Sequence, residues 1–119
     1  MARITIRIDL EDGRHIGHGK IKLLELIAEH GSITRAAKAM DMSYRRAWLL
    51  ADEVNTMFDQ PVLETQHGGA GGGHAKLTPF GQALVEHYRT IEARTTTTFK
   101  KQIAGLQRSV RTRGRAVRP

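Results

Sequence analysis

Gly31-Ser32-Ile33-Thr34-Arg35-Ala36-Ala37-Lys38-Ala39-Met40-Asp41-Met42-Ser43-Tyr44-Arg45-Arg46-Ala47-Trp48 is the stretch on which the reading of this chain turns. Gly31 is a natural stop for a preceding helix, because glycine tolerates the left-handed conformation found there. Ser32 then predicts an N-cap, its hydroxyl accepting from amides that a first turn leaves unpaired. Ala36, Ala37 and Ala39 are small enough for another helix to approach closely. Asp41-Met42 breaks the pattern and Ser43 caps again, so a further helix is expected from Tyr44 to about Phe58. Two capped helices this close together, the first short and alanine-rich, predict a helix-turn-helix.

Working outward, Ile21, Leu24, Ile27 and Ala28 form the apolar stripe of a helix running from Lys20 to the Gly31 stop. Ahead of it, Ile4, Ile6, Ile8 and Leu10 alternate with Thr5, Arg7 and Asp9 as a half-buried strand does. Glu11-Asp12-Gly13 supplies a turn, and Arg14 to Gly17 can return as a second strand. Beyond Gln60-Pro61, Val62 to Thr65 and Ala75 to Thr78 read as two short strands. Between them lies the nine-residue loop Gln66 to His74 with Gly68, Gly69, Gly71, Gly72 and Gly73, and such a hairpin after a helix-turn-helix is a wing. Thr78-Pro79 opens a last, long helix, with Thr as N-cap and Pro at the first helical position. Its apolar face carries Leu84, Tyr88, Ile91, Phe99, Ile103 and Leu106. The β-branched run Thr95-Thr96-Thr97-Thr98 predicts fraying or a bend. The expected fold is therefore mainly α with some β: a winged helix-turn-helix with an N-terminal hairpin, a two-stranded wing and a long C-terminal dimerisation helix.

Spaced at 100° per residue, Ala47, Leu50, Ala51, Val54, Met57 and Phe58 share one side of the helix that begins at Tyr44 and should pack inward. Arg45, Leu49 and Asp52 lie opposite, with Trp48 and Arg46 towards the edges. Arg45 is then the main candidate for a base contact, since arginine matches guanine O6 and N7 bidentately. Tyr44, Trp48 and Leu49 complete the expected base-reading set, through apolar contact with thymine methyls or the sugar backbone. Arg46, Ser32, Thr34, Arg35, Ser43 and Lys76 are expected at phosphates. The plain alternative for the arginines is a solvated helix face, and for Trp48 a core residue rotated outward.

The chain has 119 residues, 39% hydrophobic and 26% charged, which suits one modest core and no membrane span. Cysteine is absent, excluding disulfides and Cys-ligated metal. The N-terminus alternates in polarity and does not look like a signal peptide, so a cytoplasmic, nucleoid-associated protein is expected. The net charge is +7, and it is concentrated. Arg108, Arg111, Arg113, Arg115 and Arg118 lie in the last twelve residues, and without them 14 basic face 12 acidic residues, leaving only +2. Residues 107–119 are accordingly expected to be a disordered basic tail, which can also serve as a phosphate-binding arm, after a DNA-binding and dimerisation domain at 1–106.

Catalytic and metal chemistry find little support. The glycine loop lacks Walker spacing and does not open a helix. His15, His18, His30, His67, His74 and His87 bring no third ligand at a characteristic spacing, so no metal is expected. Glu25 and Glu29 lie one helical turn apart without a nucleophile or base nearby. No enzyme, cofactor or small-molecule ligand is expected.

Ser43-Tyr44-Arg45-Arg46-Ala47-Trp48, the run Gly68 to Gly73, and Leu77-Thr78-Pro79-Phe80-Gly81 together resemble the N-terminal DNA-binding domain of the ModE family of prokaryotic molybdate-responsive regulators. Gly31-Ser32-Ile33 followed by Ala36-Ala37 is also similar to the LysR-type regulators. The likeness covers roughly Ile16 to Ile91. It implies a winged helix-turn-helix that dimerises through its long helices on a palindromic operator. Nothing after the long helix resembles the family's oxyanion-binding modules, so molybdate sensing is not implied. The leading expectation is a homodimeric, sequence-specific regulator of transcription that binds double-stranded DNA. The alternatives are an adaptor pairing its long helix with a larger regulator, and a nucleoid-type binder of low sequence preference.

Overall fold

The computed structural model describes residues 2–66 and 73–112. Three helices make the body: α1 (His18–His30), α2 (Ile33–Ala39) and α3 (Tyr44–Asn55). Each junction follows from local chemistry. Gly31 caps α1 at φ 73° and returns its N–H to Ile27 O at 2.8 Å. The Ser32 and Ser43 hydroxyls accept from Arg35 N and Arg46 N at 3.0 and 3.1 Å. Between α2 and α3, Asp41 takes the left-handed conformation at φ 54° and Met42 N donates to Ala37 O, closing the turn.

Ile21, Leu23, Leu24 and Ile27 of α1 are wholly buried, as are Ala36 of α2 and Ala47 and Val54 of α3. Alanine at the crossings lets the backbones approach, while the larger aliphatics of α1 fill the centre. Truncating one of the latter, Leu24→Ala for instance, costs about 2–5 kcal/mol.

Two antiparallel pairs flank the body. β1 (Arg7–Asp9) pairs with β2 (His15–Gly17) across a short 3-10 turn, with Ile8 opposite Ile16. Regular pairing is thus shorter than the alternation suggested, although Ile4, Ile6 and Ile8 still turn inward while Arg3, Thr5 and Arg7 face out. β3 (Leu63–Gln66) and β4 (His74–Leu77) form the wing, with Leu63 opposite Leu77 and Gln66 opposite His74. β4 is also tied to the body, since Ala75 N donates to Gly31 O at 2.9 Å. The winged helix-turn-helix is therefore the observed fold.

α1 begins at His18, two residues before the expected Lys20, and α3 ends early. α3 stops at Asn55, three residues short of Phe58, because the Thr56 hydroxyl turns back to Asp52 O and Asn55 bends its side chain towards the wing. Met57 and Phe58 still pack inward, Phe58 edge-to-face on Phe80 at 5.3 Å. The bend expected at the threonine run is present: the long helix is two helices, α4 (Pro79–Thr98) and α5 (Lys100–Arg108), interrupted at Phe99. The Thr95 and Thr96 hydroxyls donate back to Ile91 O and Glu92 O, which competes with the backbone ladder and weakens that turn. α4 and α5 project from the body, and the molecule measures 60 × 29 × 27 Å. Among the described residues no helix is long and apolar enough to cross a membrane.

Candidate nucleic-acid interface

α3 lies with Ala47, Ala51 and Val54 against the core and its other side in solvent. Tyr44, Arg45, Arg46, Trp48 and Leu49 are all exposed, Trp48 at 41%. All five are large, and Tyr44, Trp48 and Leu49 place apolar surface in water within the first two turns. A helix face that needed only solubility would carry charged and polar side chains here without three apolar ones. α3 spans about 18 Å at 1.5 Å per residue, and its N-terminal turn carries two guanidiniums.

Thr34 and Arg35 are exposed at the start of α2, beside the Ser32 cap. The Ser32 and Ser43 oxygens are engaged as acceptors, which leaves each hydroxyl hydrogen free to donate outward. Thr34, Tyr44 and Trp48 border a shallow cleft whose far wall is the wing, at Gln66, Gly73 and His74. Residues from the second helix, the third helix and the wing therefore come together on one side. Arg46 lies on the opposite flank of α3, near Lys20, Met42 and Leu50. Lys76 lies across the wing from Glu64, 3.6 Å away, so its charge is partly balanced. Gly68, Gly69, Gly71 and Gly72 fall outside the described residues, and of the wing glycines only Gly73 can be placed.

Three contacts that position this surface escaped the reading of the sequence. Asn55 Oδ1 accepts from Val62 N and Leu63 N, both at 2.8 Å, and so ties the end of α3 to the start of the wing. Lys20, read only as the first residue of the helix, is buried to 8% side-chain exposure. Its ammonium donates to Glu53 of α3 at 2.9 Å and to His15 O at 3.0 Å. Gly81 fits against Val62, where a Cβ would collide with the carbonyl oxygen. Only the glycine gave any signal, as part of Thr78-Pro79-Phe80-Gly81. The other two depend on partners that local periodicity does not name.

The projected stripe needs one correction. Tyr88 is 1% exposed, and its hydroxyl donates to Ile6 O at 2.7 Å. It belongs to the protomer's own core, because the N-terminal arm lies over it and burial there pushes its phenol pKa up. Leu84 is half-buried against the same core, and Ile103 is half-buried on α5. Ile91, Phe99 and Leu106 remain exposed. Beside them, Arg89 of α4 grips both carboxylate oxygens of Glu25 on α1, at 2.7 and 3.0 Å, and also reaches Glu92 at 2.7 Å. The Arg89 guanidinium holds the Glu25 carboxyl below the ordinary carboxylate range, and Glu25 in turn raises the Arg89 pKa. Among the described residues no three His, Asp or Glu side chains converge as metal ligands would.

Comparison with known proteins agrees with this architecture. The chain is 42% identical over 77 residues to the molybdenum-pterin-binding protein MopA of Rhodobacter capsulatus, an alignment covering 65% of this chain and 29% of that one. It is 37% identical over 92 residues to the molybdenum transport protein ModE of Azotobacter vinelandii, covering 77% and 33%. It is also 37% identical over 87 residues to the DNA-binding transcriptional dual regulator ModE of Escherichia coli K12, covering 73% and 33%. The aligned part of the chain thus spans about a third of the length of these curated relatives. Among solved structures, the CbnR DNA-binding domain in complex with DNA superposes with a TM-score of 0.56 at 22% identity, over 74% of this chain and 95% of that one. That likeness shows the fold. The family model of the bacterial regulatory helix-turn-helix proteins, lysR family, matches residues 19–82, the span from α1 to the start of α4, and this chain belongs to that family.

Proposed function

We propose that this chain binds double-stranded DNA sequence-specifically as a regulator of transcription, entering the major groove with α3 and acting as a pair of identical copies. The observation that carries this is the first two turns of α3, where Tyr44, Arg45, Trp48 and Leu49 stand exposed on a helix anchored by Ala47, Ala51 and Val54. In this reading those four face base edges, with Arg45 taking guanine. Ser32, Thr34, Arg35, Ser43, Arg46 and Lys76 take phosphates, and the glycine-rich wing follows the backbone. The exposed Ile91, Phe99 and Leu106, with the half-buried Ile103, supply the surface on which two copies meet. Residues 1–106 form the working domain and the basic residues after it add affinity. The work is done in the cytoplasm and involves no catalysis. No cofactor or molybdate site is proposed for these residues, although two of the three relatives carry molybdenum in their names.

Selection of bound sequences from randomised duplex DNA tests the reading. It should yield a motif with two-fold symmetry, bound on the order of 10³-fold or more tighter than random DNA at fixed salt. A ratio near one would favour the nucleoid-type binder. A motif without symmetry, read by a single copy, would favour the adaptor.

A further inference from the structure

The connection between the body and α4 is narrow and ends abruptly. Leu84, Val85 and Tyr88 pack on the core, and Arg89 is clamped to Glu25 of α1. After Tyr88 no described residue is buried. The Arg89 side chain is 29% exposed, that of Glu25 32%, and the Glu92 carboxylate, 18% exposed, holds the guanidinium from the α4 side. The Arg89 guanidinium carbon also lies 5.6 Å from the Tyr88 ring centroid, within cation–π range, so one planar group is held by a carboxylate on each helix beside an aromatic ring. A bidentate arginine–carboxylate pair fixes orientation as well as distance, since both N–H vectors must align.

We infer that Arg89 is a positioning residue: with Glu25 and Glu92 it sets the angle at which α4 leaves the body, and through that angle the spacing of the two DNA half-sites. The inference rests on the paired-copy reading above. Its scale follows from the helix. Phe99 lies ten residues beyond Arg89, about 15 Å along the axis, so a tilt of roughly 10° displaces it by ~2.6 Å. That is close to the ~3.4 Å that one base pair adds to a duplex. A clamp loosened by that much relaxes the separation at which two recognition helices are held, and so lowers the penalty for half-sites one base pair nearer or farther apart, which also turn by about 35° about the duplex axis. The contacts each α3 makes with its own half-site would be unchanged.

The test compares Glu25→Gln and Arg89→Lys with the unaltered full chain on duplexes carrying two half-sites separated by spacers of graded length. Glu25→Gln leaves Arg89 paired with Glu92, and Arg89→Lys keeps the charge without the fork. Melting curves check that each variant is folded at the assay temperature. Affinity for an isolated half-site should stay as it is. The preference for the best spacer over one longer or shorter by a base pair should fall by about threefold or more, a coupling of the size that substitutions remote from a ligand can carry. Folded variants that bind all spacers more weakly by one common factor would overturn the inference and leave the clamp a structural contact only. So would two variants that keep the wild-type profile. Should Arg89→Lys prove unfolded, Glu25→Gln alone decides. Should both unfold, the clamp is a structural contact and the inference falls. A wild-type chain indifferent to spacing would fail differently, by removing the paired-copy reading on which the inference stands.

Discussion

The body and the projecting helices of this protein are built to opposite rules. In the body, small residues mark the crossings and every large aliphatic of α1 finds cover, so Ile21, Leu24 and Ile27 have no exposed surface. From Arg89 to residue 112 nothing is buried, and Ile91, Phe99, Leu106 and Val110 stand in water. The body closes its core with Phe80, Leu84, Val85 and Tyr88 from the first half of α4. The projecting part holds its shape by helix propensity and by one ion-pair clamp, and its apolar surface calls for another molecule. Substitutions should therefore act on folding in the first region and on assembly in the second.

Among the contacts that join one element to another, the largest effect on folding is expected at the seam where α4 meets the wing. Gly81→Ala would press a methyl into the Val62 carbonyl, 3.1 Å from its carbon, between two backbones that cannot move apart without opening the core. About 3 kcal/mol should be lost, lowering Tm by ~10 °C or more. An unchanged melting curve would mean that the seam is looser than this packing implies.

A smaller loss, roughly 2 kcal/mol, is expected for Asn55→Ala, which leaves two buried N–H donors, those of Val62 and Leu63, without their acceptor. Asn55→Asp retains an acceptor and should recover most of the loss in chemical denaturation. Recovery by neither stability nor amide protection at Leu63 would detach α3 from the wing in this account.

The clamp between the regions should respond to acid. Because Arg89 holds the folded Glu25 pKa below its unfolded value, the pair's contribution is fully present above the ordinary glutamate pKa of about 4.3. It is lost as pH falls through the lower, folded value. Stability should thus decline on acidification, and Glu25→Gln should flatten that part of the profile. An equally steep decline in the variant would assign the acid response to other carboxylates.

The smallest change in protomer stability belongs to the exposed face. Phe99→Ser, at a residue 48% exposed and beyond the clamp, should alter protomer stability by no more than ~0.5 kcal/mol. It should nonetheless shift sedimentation towards single copies. A large fall in Tm without any change in association would reverse the comparison.

What the sequence disclosed divides along the same line. Gly31, Ser32, Ser43 and Thr78 act within one turn of themselves, so their capping roles could be read directly from neighbouring residues. The inward face of α3 was legible for the same reason, since helical period alone sorts Ala47, Ala51 and Val54 from Arg45 and Leu49. Tyr88 was not, because period marks a stripe without saying which chain covers it, and its cover comes from Ile6, 82 residues earlier. Lys20 with Glu53 and Arg89 with Glu25 are hidden in the same way, as pairs joined only by tertiary packing. The shortened α3 needed the Thr56 back-bond and the distant acceptor role of Asn55 to be known together.

In the proposed reading α3 chooses sequence through Arg45 while Arg46, on its flank beside Lys20 and Met42, holds phosphate. Parallel selections on randomised half-sites with Arg45→Ala and Arg46→Ala separate the two roles. Arg45→Ala should cost about 1–3 kcal/mol on the preferred site and relax one base-pair position in each half-site. Arg46→Ala should weaken preferred and random DNA by similar factors, reduce the salt slope by about one per site, and leave the motif as it was. A motif that changes with Arg46→Ala and persists with Arg45→Ala would contradict the rotation of the helix in the groove, and two variants binding as the wild type does would contradict its entry altogether.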